Sequence, residues 1–209
     1  MAPNLRQLFI QRAARLQGRP ALTAPSWETL SWGAWRNRVE GVALGVMAME
    51  PPPTALFSRT GSPWDWTLEV AAACAGIPWD ASAPALDPAI LGGPRFNDEN
   101  GRPAYHDRED HLDAATPFEG PLSQGDLLRK FQRWNGLLGW DHDTVLKLPL
   151  SVLDTPPARA ALWNALYAGA HTILLEETKD EPPTTGLFAR FRKAPPPAWN
   201  PSAFDGFWD

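Results

Sequence analysis

The sequence has one cysteine, two tyrosines and no block of five or six like charges. A single thiol, Cys74, excludes an intrachain disulfide and any cysteine-rich zinc site. Its setting, Ala71-Ala72-Ala73-Cys74-Ala75, is that of a small buried hydrophobe rather than a nucleophile. No apolar stretch reaches the roughly 18 residues that cross a bilayer. Arg6, Arg12 and Arg15 interrupt the N-terminus before an uncharged signal core can form, so a cytoplasmic, reducing location is expected. With 19 basic against 24 acidic residues the net charge is −5, which removes the phosphate-neutralising surface that nucleic-acid binding needs. Dinucleotide fingerprints, Walker loops and G-x-S-x-G elbows are absent.

Histidine, with four residues, is also scarce, and no metal site is expected. The tract His106-Asp107-Arg108-Glu109-Asp110-His111 has a suitable composition, but imidazoles five apart do not share a helical face, and the tract reads as a solvated loop. Asp141-His142-Asp143 reads as an Asp-rich turn. His171, ahead of an apolar strand, reads as a capping or edge residue.

What is abundant is apolar bulk. Hydrophobic residues make up 44% and charged residues 21%, a globular composition. The 23 prolines and 16 glycines, together under a fifth of the 209 residues, therefore punctuate a fold. Eleven tryptophans supply large apolar bodies, each with one N–H to place. The length suits one domain with an appendage: an α/β domain over residues 1–178, irregular over 81–121, and a Pro/aromatic-rich tail over 179–209.

Periodicity organises the domain. Leu5, Leu8, Phe9, Ala13 and Leu16 share one helical face. Pro20–Thr23 and Trp27–Trp32 read as an extended pair; Trp35, Val39, Val42 and Val46 then return to helical spacing, ended by Pro51-Pro52-Pro53. Thr54–Phe57 reads as a strand, Trp64–Ala75 as a helix stopped by Gly76, and Ile77–Asp80 as a second extended segment, a strand–helix–strand unit with parallel pairing. A second unit follows. Ser123 and Asp126 form a capping-box pattern before the stripe Leu127, Phe131, Trp134 and Leu138. Thr144–Leu148 then reads as a strand, Pro157–Ala168 as a helix and Thr172–Leu175 as a strand. Two such units predict an α/β layered domain with mostly parallel strands and flanking helices.

Three segments carry a family resemblance. "LRQLFIQRAARLQGRPAL" is similar to the first helix and strand of the adenylate-forming superfamily, the acyl-CoA synthetases and AMP-binding ligases. "TALFSRTGSPWDWTLEVAAACAGIPWDASAP" resembles its strand, turn, long helix, "AG" stop and proline-ending strand. "PLSQGDLLRKFQRWNGLLGWDHDTVLKLPLSVLDTPPARAALWNALYAGAHTILLE" resembles the stretch after its phosphate loop. The likeness covers most of residues 4–176 and implies part of the acyl-CoA synthetase N-terminal domain.

The departures define the functional expectation. The family's phosphate loop is rich in Ser, Thr and Gly, ends in Pro-Lys-Gly and wraps the ATP phosphates; here its place is Ala114–Ser123, with Thr116 and Gly120 remaining, no lysine, and Glu119 adding a negative charge. The family's histidine after "PL" falls on Val152. The chain stops before the segments that in the family hold adenine, ribose, the magnesium-binding acid and the mobile lysine. The resemblance thus implies no catalytic residue, no ATP and no other cofactor on this chain. The expected role is an inactive relative serving as a structural or regulatory subunit, in a hetero-complex or homo-oligomer. The alternatives are one half of a split ligase, or a non-catalytic acyl or aryl binding module. Arg190, Phe191, Arg192, Trp199, Phe204, Phe207 and Trp208 in the tail are the candidate partner contacts, because Trp and Arg concentrate at binding hot spots. Covering an open edge of this same domain is the competing role for those aromatics, and removal of residues 186–209 is expected to abolish the complex while the domain stays folded.

Overall fold

The computed structural model describes residues 4–87, 112–176 and 199–209. Their central sheet has the order β2-β1-β6-β5, from β1 (Pro20–Thr23), β2 (Leu30–Ser31), β5 (Val145–Pro149) and β6 (His171–Leu175). β6 runs parallel to both neighbours, with Leu22 and Leu146 each opposite Thr172; only β2 is antiparallel. The helices are α1 (Leu5–Arg15), α2 (Trp32–Met47), α3 (Pro63–Ala75), α4 (Gln124–Leu138) and α5 (Pro156–Ala168). This is the expected α/β arrangement of mostly parallel strands with flanking helices. Among the described residues no helix is long and apolar enough to cross a membrane.

The β5–α5–β6 unit follows directly from its sequence. Alternating burial along Val145–Pro149 fits a strand covered on one face, while Pro156 and Pro157 open α5 where an N–H has no helical acceptor. Gly169, at φ 81°, ends α5 and turns the chain into β6. The capping box forms as expected: Ser123 Oγ accepts from the Asp126 N–H (3.2 Å) and Asp126 Oδ2 accepts from the Ser123 N–H (2.9 Å). Gly76 is required at its position, because at φ 72° an added Cβ would also lie 2.4 Å from Leu112 Cδ2.

Two expectations are corrected. Thr54–Phe57 and Ile77–Asp80 do run parallel around α3, but they meet in a single bridge, Leu56 to Trp79, rather than a ladder. Pro78 has no N–H to donate, so pairing cannot propagate through it. At the end of the stretch expected to be irregular, β3 (Pro117–Glu119) pairs with β4 (Leu122–Ser123), just beyond it, in an antiparallel hairpin; residues 88–111, including His106–His111, lie outside the described residues.

The tryptophans build one aromatic file through the core. Phe9 meets Trp35 edge-on at 5.2 Å, Trp35 lies 6.1 Å from Trp66, and Trp66 meets Trp163 edge-on at 5.0 Å. Trp163 then stacks on Phe131 at 5.8 Å, which stacks on Phe207 at 5.9 Å. Some indole N–H groups find acceptors, Trp35 on Thr67 Oγ1, Trp163 on Glu69 and Trp134 on the Ala203 carbonyl, while those of Trp32 and Trp199 are buried without one among the described residues. Residues 199–209 thus belong to the same core, anchored by Phe204 and Phe207 against α4 and α5.

Candidate functional site

Beyond the carboxyl end of β5 the chain passes through a short 3-10 turn, Leu150–Val152, into α5. In parallel sheets this end, where strand ladders stop and helices begin, is where ligands bind. A cavity of about 300 Å3 lies there, between the N-terminal halves of α3 and α5 and the β3–β4 hairpin. Its walls include Phe57, Trp66, Trp79, Glu119, Asp154 and Arg159.

An ion triad organises the cavity. Arg159, in the first turn of α5, is almost completely buried. Its Nη2 donates to Glu69 Oε1 and to Glu119 Oε2, each at 2.7 Å, and its Nη1 donates to Glu119 Oε1 at 3.0 Å. Nε completes the grip on Glu69 at 3.1 and 3.2 Å, and Trp163 Nε1 donates to the same carboxylate at 2.8 Å. A cation in the first turn of a helix is opposed by the helix dipole. Burial also lowers the guanidinium's proton affinity, yet the attraction and hydrogen bonds of Glu69 and Glu119 outweigh it and hold the group above its ordinary value. Arg159 is therefore a permanent cation at the base of the cavity. On the exposed rim, Arg59 Nε pairs with Asp154 Oδ2 at 2.7 Å.

Asp65 serves a different purpose. It is N3 of α3 in a second capping box, and its oxygens accept from Ser58 Oγ (2.6 Å), Thr60 Oγ1 (2.7 Å) and the backbone N–H groups of Thr60, Gly61 and Ser62. Its charge is spent on fixing the turn that starts α3.

The segment expected at the phosphate-loop position is a tight hairpin. Gly120, at φ 53°, and Pro121 form the two-residue turn between β3 and β4, and Pro121 has no N–H to offer an anion. Thr116 is buried and its Oγ1 accepts from the Asp113 N–H at 2.9 Å. Glu119 points its carboxylate into the cavity wall and onto Arg159.

The tail candidates divide. Arg190, Phe191 and Arg192 lie outside the described residues. Phe204 and Phe207 are 3% and 0% exposed, packed on this chain's own aromatics, which corrects their reading as partner contacts: a side chain used up in the core presents no surface. Trp199 and Trp208 are half-buried; Trp208 lies over the Arg159 guanidinium at 4.7 Å and its Nε1 donates to the Pro156 carbonyl at 2.7 Å. Of the other polar residues, Asp141 and Asp143 form a turn in which Asp143 pairs with Arg19. Of the capping and edge readings of His171, the sheet-edge one is corrected: the residue opens β6, which lies inside the sheet, where its Nε2 hydrogen-bonds Thr23 Oγ1 at 2.8 Å and burial pulls the imidazole down.

Cys74 is buried in α3, and burial pushes its thiol up to about 12. At pH 8 it is therefore almost wholly protonated, and a disulfide reagent such as DTNB is expected to leave the native protein unmodified while reacting stoichiometrically in denaturant. Rapid native-state labelling would contradict the buried placement.

Glu69 and Arg159 carry the site's charge and were not singled out from the sequence. The signal was present: Arg159 is the one charge of α5 and Glu69 the one charge of α3 beyond its capping Asp65, in Trp66-Thr67-Leu68-Glu69-Val70-Ala71 and Ala158-Arg159-Ala160-Ala161, and single opposite charges within two apolar helical stretches suggest a buried pair.

No protein-family profile and no curated protein matches the chain in sequence. Solved structures do match in fold. A protein described as a long-chain-fatty-acid CoA ligase, from Rhodopseudomonas palustris, superposes with a TM-score of 0.61 at 14% identity, over 85% of this chain and 58% of that one. The N-terminal subdomain of Klebsiella oxytoca NpsA, in complex with anthranilyl-AMSN, gives 0.58 at 13% identity, over 86% of this chain and 55% of that one. An artificial adenylation–PCP fusion, NpsA-ThdA, from the same organism gives 0.58 at 13% over 87% and 40%. The fold is that of the N-terminal part of adenylate-forming enzymes. This chain spans about half the length of the structures it resembles.

Proposed function

We propose that this chain is a non-adenylating protein built on the adenylate-forming fold, acting in the cytoplasm as a structural or regulatory subunit of a protein complex. One observation carries the reading: the hairpin at the phosphate-loop position offers a two-residue Gly120-Pro121 turn and a carboxylate tied to Arg159, where a triphosphate would need free N–H groups and a cation. The same proposal divides the chain into a domain over 1–178 and a tail over 179–209 whose last eleven residues return to the domain core. With Phe204 and Phe207 committed there, the partner surface draws on Arg190, Phe191, Arg192, Trp199, Trp208 and the outward Leu137 of α4, which is 76% exposed.

The purified chain is expected to give no ATP–pyrophosphate exchange with any member of a carboxylic-acid panel; measurable exchange would overturn the proposal. The partial coverage of the matched structures supports the split-ligase alternative, in which exchange appears only when a copurifying chain is added back. The cavity supports another, the non-catalytic binding module.

A further inference from the structure

We propose that the cavity between α3, α5 and the β3–β4 hairpin binds an organic cation, an ammonium group on an apolar body, with the Glu119 carboxylate as its anchor. This deepens the binding-module reading and replaces the acyl or aryl acid which that reading would first suggest.

Charge accounting around the cavity leads to it. Arg59 and Asp154 neutralise one another on the rim, and Asp65 is directed into the α3 turn, where the N-terminal N–H groups answer it. What remains is one guanidinium between two carboxylates, a triad with one negative charge in excess. That excess is not shared evenly. Glu69 is 4% exposed and gripped by Arg159 Nε and Nη2 together with the Trp163 indole. Glu119 is 30% exposed, lines the cavity, and has one Arg159 N–H on each oxygen, leaving a lone pair on each. A carboxylate ligand arriving there meets a like charge; an ammonium group meets an acceptor with capacity to spare.

The walls suit the rest of such a molecule. Phe57, Trp66, Trp79, Leu153 and Leu162 form an apolar lining around a volume of about 300 Å3, at the small end of ligand sites. The aromatic walls add attraction for a cation.

The test titrates the full chain, at fixed ionic strength, with 2-phenylethylamine, 2-phenylethanol and phenylacetate, and with hexylamine, hexanol and hexanoate, by calorimetry. Each amine is expected to bind about tenfold more tightly than its alcohol, with the acid weakest. Glu119→Gln is expected to reduce the amine to the alcohol's affinity while circular dichroism stays unchanged; if that variant does not fold, the amine-over-acid order in the parent decides. Equal or tighter binding of the acids overturns the inference and leaves the binding-module reading standing. Absence of heat with every amine overturns it, as does undiminished amine binding by Glu119→Gln, or the same response to ammonium chloride.

Discussion

Arg159→Met is expected to lower unfolding free energy by about 3–5 kcal/mol, measured by urea denaturation, because it strands Glu69 in the core. Glu69 is buried in α3 beside Trp66 and Trp163, and Arg159 is its only cationic partner among the described hydrogen bonds. Methionine keeps the apolar stem of the side chain but leaves a carboxylate with one indole N–H. The expected partial remedy shows the mechanism: Arg159→Met combined with Glu69→Gln should recover much of the loss, since the charge that needed compensation is gone. Glu119→Gln alone, at a partly exposed position, should cost well under half as much. An Arg159→Met protein with an unchanged denaturation midpoint would show that the triad contributes nothing to stability.

That triad also marks the limit of what the linear sequence shows. The β5–α5–β6 unit is legible because its signals are local: a short apolar run, Pro156-Pro157, an apolar helix and Gly169 fall in order within about thirty residues. The Ser123–Asp126 box is legible for the same reason. The site is not local. Glu69, Glu119 and Arg159 are 40 to 90 residues apart and meet only when the hairpin closes over two helices. Glu119 is visible in sequence as a charge that spoils a phosphate loop; its role as a ligand of Arg159 depends on a β3–β4 pairing too short to show a strand period. His171 illustrates the same difficulty, because strand order, which places β6 inside the sheet, is a tertiary property. The destination of the terminal aromatics is another, since a Phe in a Pro-rich tail looks identical whether it docks on its own domain or on a partner.

Phe207→Ala decides between those destinations, with an expected cost of about 3–5 kcal/mol in the isolated chain. The ring is fully buried, stacked on Phe131 and edge-on to Trp134 at 5.2 Å and to Trp208 at 5.0 Å. Its loss leaves a cavity at the end of the aromatic file and loosens the segment that brings Trp208 over Arg159 and presents the Phe207 carbonyl to Lys130 Nζ. Deleting residues 199–209 is expected to cost at least as much, because it also uncovers Phe131 and Trp134. The sequence-based expectation that the tail can be removed from a folded domain is therefore revised. Loss of a complex after such a deletion would report damage to the domain as readily as loss of an interface, so interface mapping requires substitutions at outward positions such as Leu137. Equal denaturation midpoints for the full chain and the 199–209 deletion would return the terminal aromatics to the list of partner contacts, since a ring that stabilises its own domain cannot be removed without a shift.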